Sequence, residues 1–127
     1  MPRSQPQPTD AELAILRVLW DRGASTVRQV HEALVDTRET GYTTTLKLMQ
    51  IMTDKGLVKR NEASRTHVYS ALAGREQTER QLVQDLIDRA FGGRAAQLVL
   101  RALSADGTTD AELKEIRKLI DDYREKR

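Results

Sequence analysis

The chain has 127 residues, 39% of them hydrophobic and 31% charged, with a formal net charge of +2 and a sequence pI of 9.1. That composition suits one packed domain, or one small domain with an appended helical segment, and no apolar run approaches the roughly 18 residues a membrane helix needs. There is no cysteine, which excludes disulfides, thiolate metal sites and cysteine nucleophiles.

Met1 to Pro8 holds all three prolines and reads as a flexible arm, residues 1–8, with no apolar signal core, so a cytoplasmic protein is expected. Thr9-Asp10-Ala11-Glu12 is a capping box: the Thr9 hydroxyl can accept the Glu12 amide while the Glu12 side chain reaches back to the Thr9 amide. It predicts a helix over 10–22, with Leu13, Ile15, Leu16, Leu19 and Trp20 on the buried stripe and Gly23 as its stop. Trp20, the single tryptophan, is assigned to the core. Ser25-Thr26 offers an extended pair and a second cap, with Gln29 three residues beyond Thr26. The spacing of Val27, Val30, Ala33 and Leu34 then predicts a helix over 26–36. The polar run Asp36 to Gly41 has nothing apolar to bury and supplies a turn.

The next stretch carries the functional signal. Tyr42 to Lys55 predicts a helix stopped by Gly56, with Thr45, Leu48, Met49 and Met52 on its apolar side and Thr43, Thr44, Lys47 and Gln50 on its polar side. Leu57–Glu62 and His67–Leu72 read as two strands joined by the polar tip Ala63-Ser64-Arg65-Thr66. A polar-faced helix followed by a two-stranded ribbon with Arg65 at its tip predicts the recognition helix and wing of a winged helix-turn-helix. The charge agrees. Between 42 and 67 five basic residues stand against two acidic ones, whereas 74–127 carries eleven of each.

From Gly74 onward only helices are expected. Leu82, Val83, Leu86, Ile87, Ala90 and Phe91 make a wide apolar face ended by Gly92-Gly93; a second helix carries Ala95, Leu98, Val99, Ala102 and Leu103. A third starts at Thr109-Asp110-Ala111-Glu112-Leu113, the same five residues as Thr9 to Leu13, and buries Leu113, Ile116, Leu119 and Ile120. So short a helical segment recovers little surface against its chain entropy, which predicts a partner, a second copy of the chain related by two-fold symmetry.

The expected fold is therefore mostly α with a small β-hairpin: a winged helix-turn-helix domain over 9–73, then a helical dimerisation region over 74–127. Double-stranded DNA is the expected partner, met by Thr43, Thr44, Lys47 and Gln50 in the major groove and by Arg65 from the wing, with Lys55 and Arg60 as positioning charges. Leu82, Leu86, Phe91, Leu98, Leu103, Leu113, Ile116, Leu119 and Ile120 are the expected dimer contacts. His31 and His67 are far apart in sequence and lack a second ligand at helical spacing, so no metal and no cofactor is expected. No nucleophile motif, phosphate loop or pocketed carboxylate pair suggests an enzyme. Two other readings stay open, a winged-helix protein-interaction module without DNA binding and a winged-helix regulator with a small-molecule pocket.

With these residues assembled, the chain resembles the penicillinase-repressor family, the BlaI/MecI/CopY group of bacterial winged-helix repressors. The likeness rests on Ala11-Glu12-Leu13 through Val18-Leu19-Trp20, on Tyr42-Thr43-Thr44, on Lys55-Gly56-Leu57-Val58, on Arg65 to Tyr69 and on Phe91-Gly92-Gly93. It implies a homodimer on palindromic operator DNA. Members that answer copper carry a cysteine cluster, which is absent here. Members that answer β-lactams are inactivated when a membrane-linked metalloprotease pathway leads to cleavage of an Asn-Phe bond in the dimerisation region. The matching place here, within Leu98 to Leu103, has Arg101-Ala102, so the resemblance implies proteolysis there with altered preference. The family often has Lys at the place of Leu46 and Arg at that of Ile51. Either a DNA contact is missing, or the two apolar residues widen the packed face.

Overall fold

The computed structural model describes residues 7–126, so the expected N-terminal arm falls, apart from Gln7 and Pro8, outside the described residues. The elements in chain order are α1 (Asp10–Arg22), β1 (Ser25–Thr26), α2 (Val27–Leu34), α3 (Tyr42–Lys55), β2 (Val58–Asn61), β3 (Val68–Ala71), α4 (Arg75–Ala90), α5 (Ala95–Leu103) and α6 (Asp110–Glu125). They divide into two compact units, Met1–Leu82 and Val83–Arg127.

In the first unit the local signals act as expected. Thr9 accepts the Glu12 amide at 3.2 Å and donates its own amide to Glu12 Oε1 at 2.9 Å; Thr26 and Gln29 make the same reciprocal pair at 3.1 and 2.9 Å. Gly56, with φ 80°, ends α3: its amide reaches the Thr53 carbonyl and the Leu57 amide reaches the Met52 carbonyl. That left-handed turn, which a side chain would strain, drops Leu57 straight from the helix into the core. α2 is shorter than predicted. It ends at Leu34, whose carbonyl is taken by the Thr37 and Arg38 amides in a closing turn, which leaves Val35 outside the helix and exposed.

Ile15, Leu16 and Leu19 of α1, Val27 and Val30 of α2, Met49 and Met52 of α3, then Leu57, Val58 and Tyr69 form one core. Each such side chain contributes about 1.5–3 kcal/mol by leaving water, so this unit has ample reason to fold. Leu48 and Trp20 pack at its margin, and the Trp20 indole donates to the Ala73 carbonyl at 2.8 Å.

The sheet corrects the two-stranded expectation. Its order is β1-β3-β2: the hairpin pairs antiparallel from Val58 with Ala71 to Asn61 with Val68, and Ser25 and Thr26 add a third strand opposite Tyr69 and Val68. Two residues carry too little pattern to announce a strand by themselves. They become one because β3 offers them an open edge. α4 also begins well before the apolar face that runs from Leu82 to Phe91, at Arg75. Its first turns are polar, held by ion pairs of Arg75 with Glu79 and Arg80 with Glu76, so no apolar periodicity marks them. Arg75 also lies 3.0 Å from Asp21 and stacks 5.7 Å from the centre of the Trp20 ring.

The second unit is built differently. Gly92 and Gly93, at φ 57° and 83°, stop α4, with the Gly93 amide on the Ile87 carbonyl at 2.9 Å. Ile87 is the one buried apolar side chain of this unit among the described residues, and neither α5 nor α6 buries any. Thr109 caps α6 by accepting the Glu112 amide at 3.1 Å, but only this half of the predicted capping box is made.

Candidate nucleic-acid interface

α3 presents two faces. Thr45, Met49 and Met52 are buried, while Thr43, Thr44, Lys47 and Gln50 are all exposed and project from the opposite side. Among the described residues, those four side chains make no hydrogen bond or ion pair that ties them to the fold. Asp54, one turn beyond Gln50, is also exposed and is the helix's only acidic residue.

Leu46 and Ile51 part company. Leu46, about 60° from Met49 around the helix, is half-buried and packed against the core, so it does widen the packed face. Ile51, roughly 40° from Lys47 and 20° from Thr44, lies within the polar face and is 38% exposed.

The expected DNA residues are not all equally available. The Lys55 ammonium lies 2.9 Å from both oxygens of Glu12, whose side chain is only 2% exposed. This pair ties the C-terminal turn of α3 to the first turn of α1. Burial pushes the Glu12 pKa up, but the Lys55 hydrogen bond, the Thr9 amide and the Lys55 charge outweigh it and hold the carboxyl below its usual range. Lys55 therefore spends its charge inside the fold. Arg60, on β2, faces Glu62 at 3.3 Å in a partly exposed pair, and His67 sits 3.7 Å from the same carboxylate.

Arg65 stands at the wing tip, where the Ser64 hydroxyl donates to the Thr66 carbonyl at 2.7 Å and the Ala63 amide donates to Asn61. With Thr66 and His67 it lines an open cleft of ≈ 460 Å³ that Thr26, Val27, Arg28, Tyr42, Leu46 and Tyr69 also line. Arg28 lies 5.5 Å from the centre of the Tyr42 ring, and His31 meets the same ring edge-on at 6.0 Å. Sequence reasoning did not single out Arg28. A usable signal was present: it is a cation in the first turn of α2, where the helix dipole disfavours positive charge and no acidic residue stands.

The expected dimer contacts lie in or beside the second unit. Leu82, Phe91, Leu98 and Ile116 are partly buried; Leu86, Leu103, Leu113, Leu119 and Ile120 are exposed, Leu119 by 60%. Ile116, Leu119, Ile120 and Tyr123 line one almost wholly apolar strip of α6. Arg101 and Ala102 are exposed residues in the last turn of α5. Among the described residues no helix is long and apolar enough to cross a membrane, and no group of His, Asp and Glu is placed to hold a metal ion.

Three helices, the third with one face given to solvent, and a three-stranded sheet ending in an exposed hairpin define a winged helix-turn-helix protein. The chain belongs to the penicillinase repressor family, which matches residues 8–122. Transcriptional regulator BlaI of Mycobacterium tuberculosis (strain ATCC 25618 / H37Rv) is 39% identical over 93 residues, covering 71% of this chain and 67% of that one. The penicillinase repressor of Bacillus licheniformis is 20% identical over 122 residues, 96% of this chain and 95% of that one. In fold, the chain is similar to the solution structure of the DNA-binding domain of the repressor BlaI, with a TM-score of 0.52, 22% identity, and coverage of 60% of this chain and 93% of that one. It is similar also to the Bacillus licheniformis BlaI monomeric form in complex with the blaP half-operator, with a TM-score of 0.51, 23% identity, and coverage of 58% and 90%.

Proposed function

We propose that this chain is a DNA-binding transcriptional repressor that occupies a palindromic operator as a homodimer and blocks the promoter beneath it. The observation that carries this reading is the solvent face of α3, where Thr43, Thr44, Lys47 and Gln50 have no structural duty. Gln can pair with adenine, Lys with guanine, and threonine methyls can touch thymine on major-groove edges. Arg65 and Arg28, which both line the cleft beside α3, suit phosphates of the adjoining backbone, and Arg60 adds a weaker surface charge. Lys55 is given no DNA contact, because its charge is held by Glu12. A BlaI relative bound to a half-operator is the precedent for a single winged unit meeting half of such a site.

The homodimer rests on the second unit. Side chains such as Leu86, Leu119, Ile120 and Tyr123 face solvent there, and a second copy covers them under two-fold symmetry, as an operator palindrome requires. Relief of repression belongs near Arg101 and Ala102, through a membrane-linked metalloprotease pathway. α5 buries no side chain, so its unwinding into the extended form a protease needs costs little. Intact full-length chain in fully induced cells would refute that last step.

The main test is binding of the full chain to its own promoter across a salt series. With roughly 6–10 phosphates neutralised per dimer, affinity should fall about 10³- to 10⁵-fold between 50 and 200 mM salt. A flat response would remove the DNA reading.

A further inference from the structure

We infer that Ile51 is a specificity-determining residue that reads the methyl group of a thymine, an inference resting on the DNA-binding reading above. Ile51 sits inside the exposed face of α3, between Thr44 and Lys47, and takes no part in the core that Leu46 joins. A β-branched residue is a poorer helix former than Lys, Gln or Ala, and Ile51 leaves 38% of its surface open on a face that is otherwise polar. The fold leaves that apolar surface without a cover. Such local departures from the polar pattern are expected where a residue serves a ligand.

The chemistry of the groove supplies that ligand. Major-groove edges display hydrogen-bond donors and acceptors, and the thymine C5 methyl is their only apolar group. A single exposed aliphatic side chain on α3 matches a lone methyl, whereas a protein partner would call for a wider contiguous apolar patch. Gln50 precedes Ile51 and points about 100° away around the helix, so the two side chains address different base edges within one half-site. An amide that pairs with adenine beside an aliphatic group that covers a thymine methyl would read a short A·T-containing step, with Lys47 one turn earlier on its flank.

The test starts from duplexes selected by the full-length chain from a randomised pool. Each thymine of the selected site is then replaced by deoxyuridine, which removes the methyl and leaves every hydrogen-bonding group in place. For the unaltered protein, one thymine per half-site should lose about fourfold in affinity, the equivalent of one buried methyl, and symmetric replacement in both half-sites about fifteenfold. Ile51→Ala should keep the thermal midpoint, bind the thymine duplex more weakly by a similar factor, and be indifferent to deoxyuridine at that position. The inference is overturned if no deoxyuridine substitution matters, if Ile51→Ala responds to it as the unaltered chain does, or if Ile51→Ala binds the selected duplex unchanged and loses only a protein partner. Failure of the pool to enrich any sequence would instead overturn the DNA reading itself.

Discussion

Thr-Asp-Ala-Glu-Leu opens both α1 and α6, and the two copies meet different fates. At residues 9–13 the box is complete, Glu12 is buried, and its carboxylate takes both hydrogen bonds from Lys55. At 109–113 only the threonine half forms, Glu112 is exposed, and Leu113 is 41% exposed. The difference lies in what stands opposite. α1 faces α2, α3 and the sheet across a packed core, while α6 carries its apolar strip to the surface. Local sequence starts both helices equally well; only a facing surface turns the same glutamate into a structural ion pair. One region covers its own apolar surface, and the other leaves the strip of α6 open to solvent.

The largest expected effect breaks the second half of that contrast. Leu119→Glu combined with Ile120→Glu puts four charges into a two-fold interface and should raise the dimer dissociation constant by about 10³-fold or more, on the order of 4 kcal/mol. Sedimentation reads the change. Unfolding of the first unit should hardly move, and an undiminished dimer would show that α6 does not form the contact.

The next effect concerns the first half. Lys55→Ala leaves the Glu12 carboxylate buried without its cation and should destabilise the unit by about 2–3 kcal/mol, seen as a lower denaturant midpoint. Glu12→Gln should cost less, and Glu112→Gln at the matching place of α6 should stay within about 0.5 kcal/mol. Equal losses from the two glutamine variants would erase the contrast. The same pair predicts a pH response. Glu12 holds its carboxyl lower in the folded than in the unfolded chain, so its contribution is full above the ordinary glutamate value of about 4.3 and is lost as pH falls through the lowered native value. Between pH 7 and pH 3 the unaltered chain should therefore lose more stability than Glu12→Gln, as thermal midpoints would report.

Smaller effects separate reading from holding on the DNA-facing side. Lys47→Ala should cost about 1–3 kcal/mol on the preferred sequence and relax discrimination at one position per half-site. Arg65→Ala should weaken all sequences alike and lower the salt slope by about one for each phosphate left without its arginine. Binding curves on matched and mismatched duplexes at two salt concentrations distinguish them. Lys55→Ala, measured where it remains folded, should leave that slope unchanged.

Much of this molecule was legible in its sequence because helix starts, helix stops and amphipathic faces are local matters. Thr9 and Thr26 announced their caps, Gly56 its left-handed stop, and the alternation of buried Met49 and Met52 with exposed Lys47 and Gln50 follows from 3.6 residues per turn. The penicillinase repressor family was legible as well, in Ala11 to Trp20, Tyr42-Thr43-Thr44, Lys55 to Val58, Arg65 to Tyr69 and Phe91-Gly92-Gly93. Tertiary structure alone decided the rest. It made Ser25-Thr26 a strand by giving it the edge of β3, claimed Lys55 for a glutamate 43 residues away, brought Arg28 and Arg65 to one cleft, and packed Leu46 against the core. Each of these depends on which surface comes to lie opposite a residue. Periodicity specifies the face a side chain occupies, and only the packed fold specifies what that face meets.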